Sequence, residues 1–389
     1  MGFASDVLNE LKPTKRPELA WCFCFLPSLI AYVVVLSNFI NTKPRIGEVF
    51  MYHEDLRVVV NPDSHLEVIL SGVGITDGPL WIDDIESSMK YLLFSEVDRN
   101  RILRWEEGKG LFTVGKSLYL NRSGCHTAQG TCGDMNYSGS TGLLKLTSSK
   151  TDFVVACQYG TKSISLIYGN GTRLLLADSY LNRPFNSPHD LTLSKTGNIY
   201  FTDPVYRSDN LPNQPGIYMI SKEDLNESIR TKSPTLHVKL LSNNFSSPLG
   251  VAMSPDGGKL YVTNVDVNSS YIAEIILRNN SVNKIVPSLP SSDVSECGGE
   301  LDNVTTTTSK SRTFSPSSSS TVALSGGVKV DHRGNIYAAV TNGVLIMSAN
   351  WTTLGLLHVG VPVTNVALGD GYLYISCHGK IVRIRRAQR

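Results

Sequence analysis

The sequence has no excess of charge of either sign, and this absence excludes one class of partner. Its 389 residues include 36 Lys and Arg against 34 Asp and Glu, which leaves a formal net charge of only +2. Holding a nucleic acid or an acidic surface requires a concentrated positive field, whereas here both signs are spread along the chain. We therefore expect no nucleic-acid partner.

The sequence also lacks strong helical periodicity after about its first fifty residues. Gly, Ser, Thr, Asn and Val are abundant instead, and short alternating segments end at turn residues, which is typical of β-strands. Apolar residues make up 41% of the chain, enough for a substantial core, so the chain is not a disordered protein. The composition predicts an all-β domain.

The N-terminal segment has a different character. Residues 19–40 carry no charge and supply about the 20 residues that a bilayer requires, more than the roughly 7 to 15 of a signal-peptide apolar region. No small-residue cleavage site follows. We interpret the segment as an uncleaved transmembrane signal anchor, with a signal peptide or a buried helix as the alternatives. The start of the chain then divides into a cytoplasmic tail at 1–18, the anchor at 19–40 and a stem at 41–66.

Asn-x-Ser/Thr triplets, the acceptor pattern for N-glycosylation, all lie after this apolar segment. They begin at Asn121, Asn136, Asn170, Asn226, Asn244, Asn268, Asn279, Asn303 and Asn350. Some arise by chance in a chain so rich in Ser and Thr, but their number points to a eukaryotic secretory lumen. We expect a single-pass membrane glycoprotein whose main domain lies in that lumen or outside the cell.

The seven cysteines fit this expectation without proving it. Cys125 and Cys132 close a short loop that could form a disulfide in an oxidising compartment. Cys157 and Cys377 each lie inside an apolar strand, where a cysteine usually serves as a small buried apolar residue.

One unit of structure recurs along the rest of the chain. Each copy has a small-residue turn, an alternating strand, a turn that usually contains Gly, and a second strand rich in Tyr, Phe and Val. The copies begin at Asp77, Thr141, His189, Leu249, Gly326 and Asn365. One such sheet cannot bury both faces, whereas six packed around an axis can. The repeat predicts a six-bladed β-propeller over 67–386, because two stacked sandwiches would not explain six recurrences.

Two segments interrupt the repeat. Residues 118–140, which contain the two neighbouring cysteines, are expected to form a surface excursion between the first two copies. Residues 291–322 are dominated by Ser and Thr and have few large apolar side chains, so we expect a disordered or O-glycosylated insertion there.

The copies also carry a family resemblance. GPLW, NRILRW, FNSPHDLTLSKTGNIYFTDPVY, SPLGVAMSPDGGKLYVT and GGVKVDHRGNIYAA closely resemble the senescence marker protein, gluconolactonase and luciferin-regenerating enzyme family, over about Glu67 to Ile384. The resemblance implies hydrolysis of lactones or esters. It also implies a divalent cation, usually calcium, that polarises the lactone carbonyl at the centre of the propeller while a carboxylate activates water.

The resemblance places the implied ligands at the first residues of the copies, and none is unchanged. The family's Glu corresponds to Asp77, its two Asn ligands to His189 and Leu249, and its Asp ligand and general base to Gly326. Tyr159 stands where many relatives have His. The remaining carboxylate, amide and hydroxyl fall short of the 6 to 8 oxygens that calcium prefers.

Two interpretations therefore stay open. In the first, the site is rebuilt: Asp77, His189 and Asn365 hold a different metal, or His189 acts as a general base beside Asp77. In the second, the propeller is non-catalytic and binds a partner or a small ligand. Either way we expect a lactone, ester or carbohydrate-derived ligand in a pocket that also contains Tyr159, Thr141, Asn365, Leu249 and Gly326.

Overall fold

The computed structural model of the chain describes eleven ranges of residues. They are 44–84, 89–111, 118–126, 132, 138–147, 152–205, 213–266, 270–285, 287–290, 319–321 and 323–387. The predicted anchor at 19–40 and most of the Ser/Thr-rich insertion lie outside these ranges. Within them, no helix is both long enough and apolar enough to cross a membrane.

The regular elements of the described residues are almost all antiparallel strands. The first elements are β1 (Arg45–Ile46), β2 (Glu48–Met51), a short 3₁₀ helix (Glu54–Val58) and the long β3 (Leu66–Asp84). The second half of β3 starts a set with β4 (Met89–Glu96), β5 (Arg101–Glu106), β6 (Gly110–Leu111) and β7 (Leu118–Asn121). A second set contains β8 (Ser140–Thr147), β9 (Asp152–Gln158), β10 (Ser163–Ile167) and β11 (Arg173–Ala177).

The same meander continues to the C-terminus. After the hairpin β12 (Ser179–Tyr180) and β13 (Arg183–Pro184), a third set has β14 (Leu191–Leu193), β15 (Ile199–Asp203), β16 (Gly216–Ile220), helix α1 (Lys222–Thr231) and β17 (Lys239–Ser242). The fourth set has β18 (Pro248–Met253), β19 (Lys259–Asn264), β20 (Tyr271–Ile276) and β21 (Ser281–Ile285). After the pair β22 (Ser288–Pro290) and β23 (Ser319–Thr321), the fifth has β24 (Leu324–Val330), β25 (Ile336–Val340), β26 (Gly343–Met347) and β27 (Thr353–His358), and β28 (Val363–Gly369) and β29 (Tyr372–Arg385) follow.

The first strands of the sets contact one another in a closed order. Each member of the series β3, β8, β14, β18, β24 and β28 contacts the next, and β28 contacts β3. Neighbouring sets also share an apolar cluster. Val154 belongs to a cluster shared with the first set, whereas the next residue, Val155, belongs to one shared with the third. Because successive side chains on a strand point to opposite faces, both faces of the set are buried.

The two ends of the described chain meet in the same sheet. The C-terminal β29 pairs antiparallel with the first half of β3, and β2 adds an edge strand to β27. Arg383 strengthens this closure: its Nε lies 2.9 Å from Glu67 Oε2, and its guanidinium carbon lies 4.0 Å from the ring centre of Tyr372. Pairing of the ends fixes the last set of strands against the first.

Three segments differ from the prediction. Part of the predicted stem at 41–66 forms β1, β2 and the 3₁₀ helix; β1 pairs with β3, β2 pairs with β27, and Leu56 of the helix lies in an apolar cluster. Residues 118–121 form the outer strand β7 rather than a surface excursion, and the buried segment after it is held by the Asn100 side chain, which accepts from Gly124 and Cys125. Cys125 is joined to Cys132 by a disulfide, as their short loop allowed. Residues 319–321, the last described part of the predicted insertion, pair with 288–290 as β22 and β23, so the insertion starts and ends at an antiparallel ladder.

Hydroxyl groups connect the first strands to their neighbours around the axis. Each donates to a main-chain carbonyl of the adjoining set: Ser95 Oγ to Thr141 O at 2.8 Å, Thr202 Oγ1 to Leu249 O at 2.6 Å, Thr263 Oγ1 to Gly326 O at 2.6 Å and Thr364 Oγ1 to Thr76 O at 2.5 Å. Glycine permits this close approach, since a Cβ at Gly250 would lie 2.6 Å from Gly327 Cα.

Substitution of Gly250 tests how tightly these strands pack. Gly250→Ala should lower the free energy of unfolding by about 1 to 3 kcal/mol, because the methyl group meets main-chain atoms that cannot rotate away. Gly169→Ala is the matched control, since nothing lies within 4 Å of a Cβ there. Urea unfolding of both variants provides the measurement, and equal stabilities would contradict the proposed packing.

Candidate functional site

A cavity of about 280 Å³ lies at one end of the ring of first strands. It is lined by Ile75, Asp77, Val97, Thr141, Tyr159, His189, Leu249, Ser325, Gly326 and Thr364. The structure thus brings Tyr159 and five of the six first residues of the copies to one space. Asn365 is not part of the lining: its side chain is fully buried, and its amide lowers the pKa of Asp77.

The Asp203 carboxylate, at the end of β15, holds the loop that carries His189 by accepting hydrogen bonds from it. One carboxylate oxygen accepts from the main-chain and side-chain nitrogens of Asn186, at 2.9 and 3.0 Å, and the other accepts from Ser187 N at 2.7 Å. His189 N then donates to Thr202 O at 2.9 Å. The motif FNSPHD therefore places the imidazole through main-chain hydrogen bonds to β15.

Asp77 lies beside this imidazole in the wall of the cavity. Its Oδ2 lies 3.4 Å from His189 Nε2, and its Oδ1 accepts from Gly78 N at 2.6 Å. Only 4% of Asp77 and 8% of His189 is exposed. Burial raises the pKa of Asp77, and the nearby Asp190 raises it further, while His189, the Gly78 N–H and the Asn365 amide act in the opposite direction.

Asp190, the residue after His189, serves the framework. It accepts from Leu191 N at 2.9 Å and from Val251 N at 3.3 Å, so it bonds backbone amides, as Asp203 does. Its Oδ2 also lies 3.0 Å from Lys329 Nζ, so a cation from β24 neutralises the buried carboxylate. Lys329 was not predicted as part of the site, although a lysine inside the strand GGVKV is a visible signal.

The residues around the cavity do not fit a calcium ion. Leu249 and Gly326 offer no side-chain donor, and one of the Asp77 oxygens already accepts from Gly78 N. A Cβ at Gly326 would lie 1.8 Å from Thr364 O, so the main chain leaves no space for a side chain at the position where the family resemblance implies an aspartate. Among the described residues, no group of three or more His, Cys, Asp or Glu side chains could hold a metal.

The chain is similar to known proteins in sequence and in fold. A sequence model described as the SMP-30/Gluconolactonase/LRE-like region matches residues 75–284. A gluconolactonase from Zymomonas mobilis is 28% identical over 347 residues, covering 87% of this chain and 86% of the relative.

Two solved structures show that the fold is shared. A gluconolactonase from Xanthomonas campestris has a TM-score of 0.63 at 16% identity, covering 89% of this chain and 99% of its own. Regucalcin, a calcium-binding protein from Agrobacterium tumefaciens, has a TM-score of 0.54 at 15% identity, covering 83% of this chain and 94% of its own. At these identities the similarity concerns the propeller-like all-β fold alone.

The carboxyl that holds the His189 loop gives a pH-dependent contribution to stability. Burial raises the pKa of Asp203 from 3.8 to about 7, against the opposing effect of the Asn186 and Ser187 hydrogen bonds. The unfolded chain releases this proton near pH 3.8 and the folded chain only near 7, so the contribution is fully present below pH 3.8 and is lost as the pH rises through 7.

Asp203→Asn should therefore flatten the fall in unfolding free energy between about pH 4 and 7, even though lost hydrogen bonds lower its overall stability. Denaturant unfolding across that pH range measures the slope. Asp256→Asn is the control: hydrogen bonds from Ser254 and the Gly258 N–H lower the pKa of that exposed carboxyl, so its effect lies below this range. An unchanged slope in Asp203→Asn would contradict the assignment.

Proposed function

The chain belongs to the SMP-30/gluconolactonase/LRE-like family, and from that premise we propose that it hydrolyses lactones or related esters in its central cavity. The observation that carries the proposal is the buried pair of Asp77 and His189, 3.4 Å apart in the wall of that cavity. Paired titratable groups in a cavity are typical of catalytic sites. A cavity of about 280 Å³ suits a small cyclic ester.

His189 is the general base in this proposal. An imidazole has the unperturbed pKa suited to proton transfer near neutral pH. It removes a proton from a water molecule while the water oxygen bonds to the lactone carbonyl carbon. The resulting imidazolium lies beside the Asp77 carboxylate, which stabilises its positive charge.

The same imidazolium completes the reaction. The ring C–O bond of the lactone breaks, and the leaving oxygen takes the proton from His189, which gives the open hydroxy acid and restores the neutral base. Thr141 and Tyr159, which line the same cavity, contact the substrate and orient its carbonyl. Leu249 supplies an apolar wall that favours the carbon skeleton over water.

A non-catalytic ligand-binding propeller is the second candidate, and the altered lining is what favours it. The family resemblance implies donors at positions 249 and 326, where this chain has Leu and Gly. A cavity without these donors retains its shape and its apolar surface, which are sufficient for binding. Such a protein would bind lactones without turning them over.

We further infer the finer architecture from several supporting features. Closed contact among the first strands and apolar clusters shared between neighbouring sets support six blades. Residues 19–40 would tether the propeller to a membrane, with the cavity on the lumenal or extracellular side. That anchor stays a prediction from the sequence, as does the absence of a nucleic-acid partner.

Substitution of the proposed base tests catalysis directly. His189→Ala should lower kcat/KM for gluconolactone by at least about 100-fold, since general base catalysis contributes 10² to 10⁴. His237→Ala is the control, because that imidazole is 80% exposed and lies away from the cavity. Undiminished turnover in His189→Ala would rule out the assigned role, and absence of turnover in the wild type, with lactone binding retained, would favour the second candidate.

Metal independence is a separate expectation. Because the donor set does not fit calcium, chelator should leave both the lactonase rate and the midpoint of thermal unfolding unchanged. Added calcium, zinc or manganese should likewise have no effect on either quantity. Loss of activity with chelator, restored by one of these ions, would mean that the site has been rebuilt around a metal.

A further inference from the structure

The glycosylation triplets of the sequence have no role in the proposed reaction, but the structure gives them a common setting. Six of the triplet asparagines lie in the described residues, and all six are exposed: Asn121, Asn170, Asn226, Asn244, Asn279 and Asn350. Exposure is not general for asparagine in this chain. Of the described asparagines that begin no triplet, five are buried, at Asn186, Asn213, Asn264, Asn335 and Asn365, and six are exposed, at Asn61, Asn182, Asn243, Asn280, Asn283 and Asn342.

The triplets that begin at Asn121, Asn170, Asn279 and Asn350 share one backbone conformation. The middle residue has a positive φ in each: Arg122 at 54°, Gly171 at 81°, Asn280 at 54° and Trp351 at 67°. Within the second triplet, the side-chain Oδ1 of Asn170 accepts from Thr172 N at 3.0 Å and from Thr172 Oγ1 at 2.7 Å. Turn chemistry by itself favours asparagine here but does not require a hydroxyl residue two positions later.

The strand order shows which end of the sheets these residues occupy. Tyr159, in the turn between β9 and β10, lines the cavity, so that turn lies at the mouth. Consecutive strands are antiparallel, so the next turn, between β10 and β11, lies at the opposite end of the set. Asn170 is in that turn and is therefore remote from the mouth.

Three more triplets occupy the equivalent position in other sets. Asn279 lies between β20 and β21, Asn350 lies between β26 and β27, and Asn226 lies on α1, which connects β16 to β17. The helix holds Asn226 in a fixed place, since the Ser221 side chain caps its first turn by accepting from Asp224 N. Asn121 and Asn244 are instead at the mouth end, where β7 and β17 finish.

We propose that Asn170, Asn226, Asn279 and Asn350 carry N-linked glycans, which cover the face of the fold opposite the cavity. The donor is an oligosaccharide on a polyprenyl diphosphate. The asparagine side-chain nitrogen bonds to the first sugar carbon, the bond from that carbon to the diphosphate breaks, and the amide proton leaves with the lipid diphosphate. The glycans hydrate one face and leave the cavity mouth open to small molecules. This inference is independent of the proposed hydrolysis, but it rests on the proposed lumenal location of the domain.

Peptide mass spectrometry tests the four sites. The full chain is produced in a eukaryotic cell and digested with an N-glycanase in heavy-oxygen water, which converts each formerly glycosylated asparagine to a labelled aspartate. We expect label at all four residues. A parallel digest without the glycanase measures the label that spontaneous deamidation introduces. This control matters most for Asn170, because Gly171 follows it. Absence of label at the four residues would overturn the proposal.

Matched variants separate glycosylation from other changes at the turns. Thr172→Ala should abolish the label at Asn170, whereas Thr172→Ser, which preserves the acceptor triplet, should keep it. Thr352→Ala and Thr352→Ser should behave in the same way for Asn350. Each alanine variant should also lose one step of glycanase-sensitive gel mobility. Label that persists in both alanine variants would show that it does not report a triplet glycan, and this too would overturn the proposal.

Discussion

The close approach of the first strands around a common axis is the constraint on which the rest of this structure depends. It requires glycine where main chains meet, as at Gly250 and Gly327, and it is secured by hydroxyl groups that donate to carbonyls of the next set. These bonds satisfy main-chain acceptors that would otherwise be buried without a partner. The same geometry leaves a narrow axial space in which any polar side chain is removed from water.

That space determines the electrostatics of the candidate site. Burial raises the pKa of Asp77, and the neighbouring Asp190 would add an unbalanced negative charge if Lys329 did not lie 3.0 Å from it. His189 supplies the remaining group that can carry positive charge next to Asp77. The centre of the fold therefore holds a set of charges balanced by side chains of the protein, and two of them, Asp77 and His189, stand at positions where the family resemblance implies ligands for an ion.

The altered lining of the cavity involves the backbone as well as the side chains. At Gly326 the main chain lies so close to Thr364 that no side chain can be added without movement of the backbone. Glycine is therefore the residue that this backbone accommodates at the position where the family resemblance implies an aspartate. Asp77 and His189, from the first and third sets, stay at the cavity wall because the Gly78 N–H and the Asp203-bound loop position them.

Much of the fold could be predicted because period-2 alternation and glycine turns act locally. The strand–turn–strand order around Tyr200 or Tyr261 follows from neighbouring residues alone, and the six first residues of the copies followed from its recurrence. The prediction of residues 118–121 as a surface excursion was wrong, since their pairing with residues 101–103 of β5 depends on a contact outside the segment rather than on its own alternation. Strand pairing of 319–321 with 288–290 was missed for the same reason.

The sequence by itself determined the all-β fold, its family and the identity of the residues brought to the axis. Only the tertiary structure decided what those residues do to one another. His189 lies 3.4 Å from Asp77, and Lys329 neutralises Asp190, so residues distant in the chain meet at the site. Asn365 is buried outside the cavity lining, which its position in the sequence did not indicate. Burial and distance set the energies of charged groups, and both depend on how the strand sets pack around the axis.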